Sequence, residues 1–131
     1  MANYALIDEN NVVTNIITGI DETEAAPEGF ADWEEFYADF HNCTVKRTSR
    51  NTVANTHLEG NTPFRCNYAT IGGTYDSTND VFIGPQPHAS FTLDENYIYQ
   101  PPIAHPTDGN AYKWNEEAYQ ADNSQGWELI E

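Results

Sequence analysis

The sequence predicts a mainly β protein with one short helix: a small antiparallel-sheet domain followed by a C-terminal series of aromatic–proline hairpin units. Three observations carry that class. Val, Ile and Thr dominate short runs bounded by turn-forming residues, as in "YALIDENNVVTNIIT" at 4–18. One stretch alone, "DWEEFYADF" at 32–40, changes to a helical period. From Thr74 onward a bulky residue followed at once by Asp or Asn recurs, in "TYDSTNDVFIGPQP", "TLDENYIYQPPI" and "KWNEEAYQADNSQGWELI".

Composition sets what such a chain can bury. With 131 residues it has room for one modest core, a chain of this size hiding roughly 65–70% of the surface its unfolded form exposes. Leu, Ile, Val and Phe number only 24 against a net charge of −16, a balance that by itself leans toward disorder. Eight Tyr and three Trp reverse that expectation, because rings bury large areas with few rotatable bonds.

The N-terminal runs around Asp8-Glu9-Asn10-Asn11 read as a hairpin. An acidic connector, "GIDETEAAPEG", disfavours regular structure. In the helix, Trp33, Phe36, Tyr37 and Phe40 fall at i, i+3, i+4 and i+7, a stripe expected to face the core, and Asp32 with Glu35 has capping-box spacing. "CTVKRTS" alternates as a strand and "RNTVANTHLEGNTP" reads as a loop or ragged hairpin arm. "FRCNYATIGGTYD" returns to strand-like alternation and turns at Gly72-Gly73. The expected organisation is a body at 1–73 (hairpin, helix and strands) and the aromatic–proline units at 74–131, packed into one compact domain or partly extended as an arm.

Within those units, hairpins are expected to set Tyr75 against Phe82, Leu93 against Tyr99, and Trp114 against Trp127 across a longer loop. Proline fixes extended backbone in the spacers "GPQPHAS" and "QPPIAHPTDG". Isolated hairpins are marginal in water. The units therefore either lie across the body of the domain or lie along a neighbouring protein, with rings and prolines as anchors. Tyr75, Phe82, Phe91, Tyr99, Trp114 and Trp127 are the candidate protein-interaction residues.

Charge and motif narrow the function classes. Residues 1–40 hold ten acids and no Lys or Arg, and 41–70 hold Lys46, Arg47, Arg50 and Arg65 against Glu59 alone. Residues 71–131 hold ten acids against Lys113. Such a surface repels bare nucleic acid, so direct DNA or RNA binding is not expected. The basic segment either pairs with acids inside the fold or docks an acidic partner, another copy of the chain included.

No apolar run approaches the ~20 residues a membrane span requires, and the acidic start "MANYALIDENN" does not read as a signal peptide. Cys43 and Cys66 are read as buried thiols or one bridge. His41, His57, His88 and His105 lack paired metal spacing. "DSTND" lacks the glycine and the bidentate Glu of a calcium loop, and no phosphate loop, dinucleotide fingerprint or nucleophile elbow occurs. No catalytic, cofactor or metal site is expected, and the chain is read as non-enzymatic.

Taken together, "WEEFYADFHNCTVKRTSRNTVANTHLEG", "FRCNYATIGGTYDSTNDVFIGPQPHASFTLDENYIYQPPI" and "PTDGNAYKWNEE" resemble small proteins of tailed bacteriophages infecting marine cyanobacteria and related marine bacteria. There a Trp-x-x-Phe-Tyr helix and an Asn-Tyr-Ala-x-Ile-Gly-x-Thr-Tyr-Asp core precede similar aromatic–proline units. The resemblance spans about residues 30–117 and departs from the pattern at loop 49–63 and at the insertion before Trp127. It implies a virion component assembled in the host cytoplasm: a capsid decoration, neck or tail accessory protein. Its partners would be capsid or tail proteins, with further copies of the chain also open. Two other readings stand beside it, an acidic DNA mimic that occupies a host nucleic-acid-binding protein and a tail-fibre assembly helper.

Overall fold

Alternation along the first strand decides the layout. In the computed structural model, which describes residues 1–130, β1 (Ala2–Ile7) pairs antiparallel with β2 (Val13–Gly19) on one side and β3 (Thr44–Thr48) on the other. Side chains alternate across a strand, so Ala2 and Tyr4 face one way and Ala5 and Ile7 the other. Both faces are covered. Ala2, Tyr4 and Val45 pack beneath Trp33, Tyr37 and Ala38, while Ala5, Ile7 and Val13 pack with Ala69, Tyr75 and Phe82.

The expected N-terminal hairpin forms because Asp8 closes its turn. The carboxylate accepts the N–H groups of Asn10 (2.8 Å) and Val12 (3.0 Å), and Asn11 takes the left-handed conformation that Asn tolerates. Helix α1 (Trp33–His41) starts where its cap predicts: Asp32 accepts from the Glu35 N–H at 2.8 Å. The aromatic stripe is only half core. Trp33 and Tyr37 sit on the sheet, whereas Phe40, one residue before the helix ends, remains 72% exposed.

β4 (Thr52–Val53) and β5 (Thr56–His57) make the ragged arm, turning through Ala54 and Asn55, both at positive φ. After it, the strand-like reading of "FRCNYATIGGTYD" holds only for its end. Arg65 and Cys66 adopt left-handed backbone, which breaks the alternation, and buried polar side chains take over from a ladder. Thr52 Oγ1 accepts the Phe64 N–H, Thr48 Oγ1 the Ala69 N–H, and Asn67 Oδ1 the Ala54 N–H at 2.7 Å. The Asn67 amide also donates to the carbonyls of Phe82 and Asn96, each at 3.1 Å.

Gly73 then lets the chain pass close to its neighbours, since a Cβ there would lie 2.4 Å from the Ile83 carbonyl oxygen. β6 (Thr74–Asp76) and β7 (Val81–Ile83) follow, with Tyr75 opposite Phe82 as expected. Both cysteines are thiols: Cys43 is half-buried, and the buried Cys66 donates to the Asn96 carbonyl.

The structure forms two compact units. The elements above, through Pro85 and with residues 95–98, make the first; residues 86–94 and Tyr99 onward make the second. In the second unit β8 (Thr92–Leu93) pairs with β9 (Tyr99–Gln100), setting Leu93 opposite Tyr99. β10 (Tyr112–Trp114) and β11 (Trp127–Leu129) pair with Trp114 opposite Trp127. Between them lies a short helix absent from the sequence reading, α2 (Glu116–Ala121), capped by Asn115 through the Ala118 N–H. No helix of the described residues is long and apolar enough to cross a membrane.

Candidate functional site

The β10–β11 ladder builds a face of rings. Directly opposed residues share a side of a sheet, so Tyr112, Trp114, Trp127 and Leu129 lie together. Trp114 and Trp127 meet edge to face at 5.1 Å between centroids. Trp114 also meets Phe91 at 5.4 Å and Tyr119 of α2 at 5.5 Å, while His105 reaches Trp127 at 4.7 Å. The Trp127 indole N–H donates to the Ile103 carbonyl at 2.8 Å, which fixes the proline spacer against the rings.

This array is ordered without being enclosed. Among the described residues of the unit only Gly126 is buried, and the rings themselves remain half-buried or exposed. Gly126 carries the Trp114 ring directly, since a Cβ there would lie 2.4 Å from it. Glu116 provides the polar anchor, accepting from Ser90 Oγ (2.6 Å), Trp114 Nε1 (2.9 Å) and the Gln120 amide (2.6 Å). Those donors, the Ser90 hydroxyl foremost, pull its carboxyl down to about 2. Rings locked in place yet open to solvent are suited to protein recognition, where aromatic anchors dominate.

The six residues singled out from sequence divide between the units. Tyr75 and Phe82 lie in the interior of the first unit, their rings 5.2 Å apart. Phe91, Trp114 and Trp127 belong to the ring array, and Tyr99 is half-buried opposite Leu93. Sequence reasoning missed Glu116, Tyr119, His105 and Tyr112. The Asn-Glu-Glu start of α2 was a legible cap signal, but six residues fall below the length at which helical period can be read.

The first unit holds a cavity of about 440 Å³, lined by Trp33, Phe64, Arg47, Arg65, Glu22 and Glu24 among others. Its basic groups are occupied. Arg65 bonds Glu34 at 2.6 Å, Asp80 at 2.8 Å and the Arg47 carbonyl at 2.9 Å, and Arg47 pairs with Glu22 at 3.2 Å while stacking 3.8 Å above the Phe64 ring. Asp80 also accepts the Tyr75 hydroxyl. Burial opposes ionisation at Asp80, yet the Tyr75 hydroxyl and the Arg65 charge outweigh it and hold the carboxyl below its ordinary value. Burial, aided by that bond, pushes the Tyr75 phenol up to about 12. Two arginines of the basic segment are thus committed to pairs within the fold.

Comparison with known proteins finds no match among family models, curated proteins or solved structures.

Proposed function

We propose that the chain is a non-enzymatic structural component of a tailed-phage particle, a capsid decoration, neck or tail accessory protein that binds other virion proteins. The observation that carries the binding role is the half-exposed ring array of the second unit. A partner surface laid over Tyr112, Trp114, Trp127 and Leu129 completes the burial that the unit itself leaves unfinished. The phage assignment rests on the resemblance of residues 30–117. Repetition over a symmetric lattice then turns a modest contact per copy into avidity.

Co-sedimentation of the purified chain with phage particles tests this reading. Leu129 is 50% exposed beside the rings, and Leu129→Ser weakens binding by about tenfold, in line with losing one buried aliphatic anchor. Leu58→Ser, at a 68% exposed position of the first unit, binds as the wild type. Equal binding by all three proteins would refute the assignment of the binding face.

A further inference from the structure

The two edges of the three-stranded sheet are treated differently. At β3 the outward N–H of Arg47 donates to the Glu34 carboxylate and its outward carbonyl accepts from Arg65, so side chains occupy that edge. At β2 another backbone segment reaches the first residue, Val13 exchanging bonds with Gly72 and Gly73. From Asn15 to Gly19 the strand has no charge and no proline, the usual devices that discourage strand addition, and its one bulge lies at the other end, at Thr14.

Hydrogen-bond direction identifies the outward groups. The Ile16 N–H bonds its neighbour's side chain, Asn15 Oδ1, at 2.9 Å, so it points away from β1. The alternation of an antiparallel ladder turns Thr18 outward as well. Ile16 and Ile17 pack on opposite faces of the sheet, and each is only half-buried, since among the described residues no strand lies beside this part of β2.

We infer that β2 is the seat of a homodimer, pairing antiparallel with β2 of a second copy to make one continuous six-stranded sheet. A twofold centred on Ile17 fits the stretch from Asn15 to Gly19, with the Ile16 N–H exchanging Asn15 Oδ1 for a backbone carbonyl. It sets Ile17 against its own copy, lets Ile16 and Thr18 exchange backbone bonds across the axis, and covers both isoleucines. It also suits the charge. The stretch left to pair, Asn15 to Gly19 on each copy, holds no charged residue, so no carboxylate is set against another along the seam despite −16 on each chain.

Sedimentation equilibrium of the full chain with hydrogen exchange read at several concentrations tests the pairing. The expected result is a dimer whose Ile16 and Thr18 amides gain at least tenfold protection as the dimer fills. Thr18→Pro removes an outward donor and Thr18→Asp adds facing charge; each is expected to give a monomer with the wild-type circular dichroism spectrum. A wild-type monomer at all concentrations overturns the inference. So does a dimer that survives both substitutions with unchanged exchange. Protection of these amides that comes only on binding particles assigns the edge to a strand of another protein and equally overturns self-pairing.

Discussion

Arg65 is where the polar contacts of the first unit converge. Its side chain is 12% exposed and binds two carboxylates and a carbonyl, holding the helix, β3 and the Tyr75 hairpin to a single charge. Arg65→Ala leaves Glu34 and the Arg47 carbonyl without this donor, and a loss of roughly 2–4 kcal/mol is expected in denaturant unfolding. Arg65→Lys recovers little, because an ammonium cannot span the same fork of acceptors.

Glu116 plays the corresponding part among the rings, and its effect depends on pH. A carboxyl held at about 2 when folded contributes stability that is fully present above the ordinary carboxylate range and lost as pH falls toward 2. Tryptophan fluorescence should report loosening of the array between about pH 4 and 2. Glu116→Gln still accepts from Trp114 but cannot titrate, so the acid step is expected to disappear from that variant. Tyr4 and Tyr75 set the alkaline limit. Burial raises each phenol to about 12, so their contribution is complete below pH ~10 and is lost as pH rises through 12.

At the scale of elements, Gly73 is a joint closed by backbone. Its carbonyl receives the Val13 N–H at 2.8 Å, and a methyl group would meet the backbone oxygens of Ile83 at 2.4 Å and Thr70 at 3.0 Å, neither of which can rotate away. Gly73→Ala is expected to cost about 2 kcal/mol or more by chemical denaturation, as overpacking against backbone does. Much of this level was legible in the sequence. Two opposed pairs, Tyr75 with Phe82 and Leu93 with Tyr99, follow from a bulky residue, an Asp and a polar turn, whereas Trp114 meets Trp127 across a longer connection that holds α2. Local turn chemistry sets register, so it can be read locally.

What escaped depends on contacts distant in sequence. The segment around Arg65 and Cys66 looks like a strand, but buried Thr48, Thr52 and Asn67 satisfy its backbone in a path that no periodicity encodes. Phe40 completes a helical stripe, yet whether a stripe is covered depends on what lies opposite. The candidate site was half legible for the same reason. Trp114 and Trp127 stand out by residue type, whereas Glu116 acquires its role only when Ser90, Trp114 and Gln120 converge on it.

At the scale of the molecule, the two units divide the aromatic content by use. The first buries Tyr4, Tyr75 and Phe82 to supply a core that the sparse aliphatics cannot, and the second keeps its rings ordered but open. That contrast, together with the acidic surface, underlies the proposed role as a particle component. The most direct test is a density-gradient separation of an infected-cell lysate, with quantitative mass spectrometry on the particle band and the soluble fractions. The account predicts that the protein bands with the particles, near the copy number of the major capsid protein for a decoration or at a few copies for a neck or tail part. A protein found wholly in the soluble fractions would contradict it.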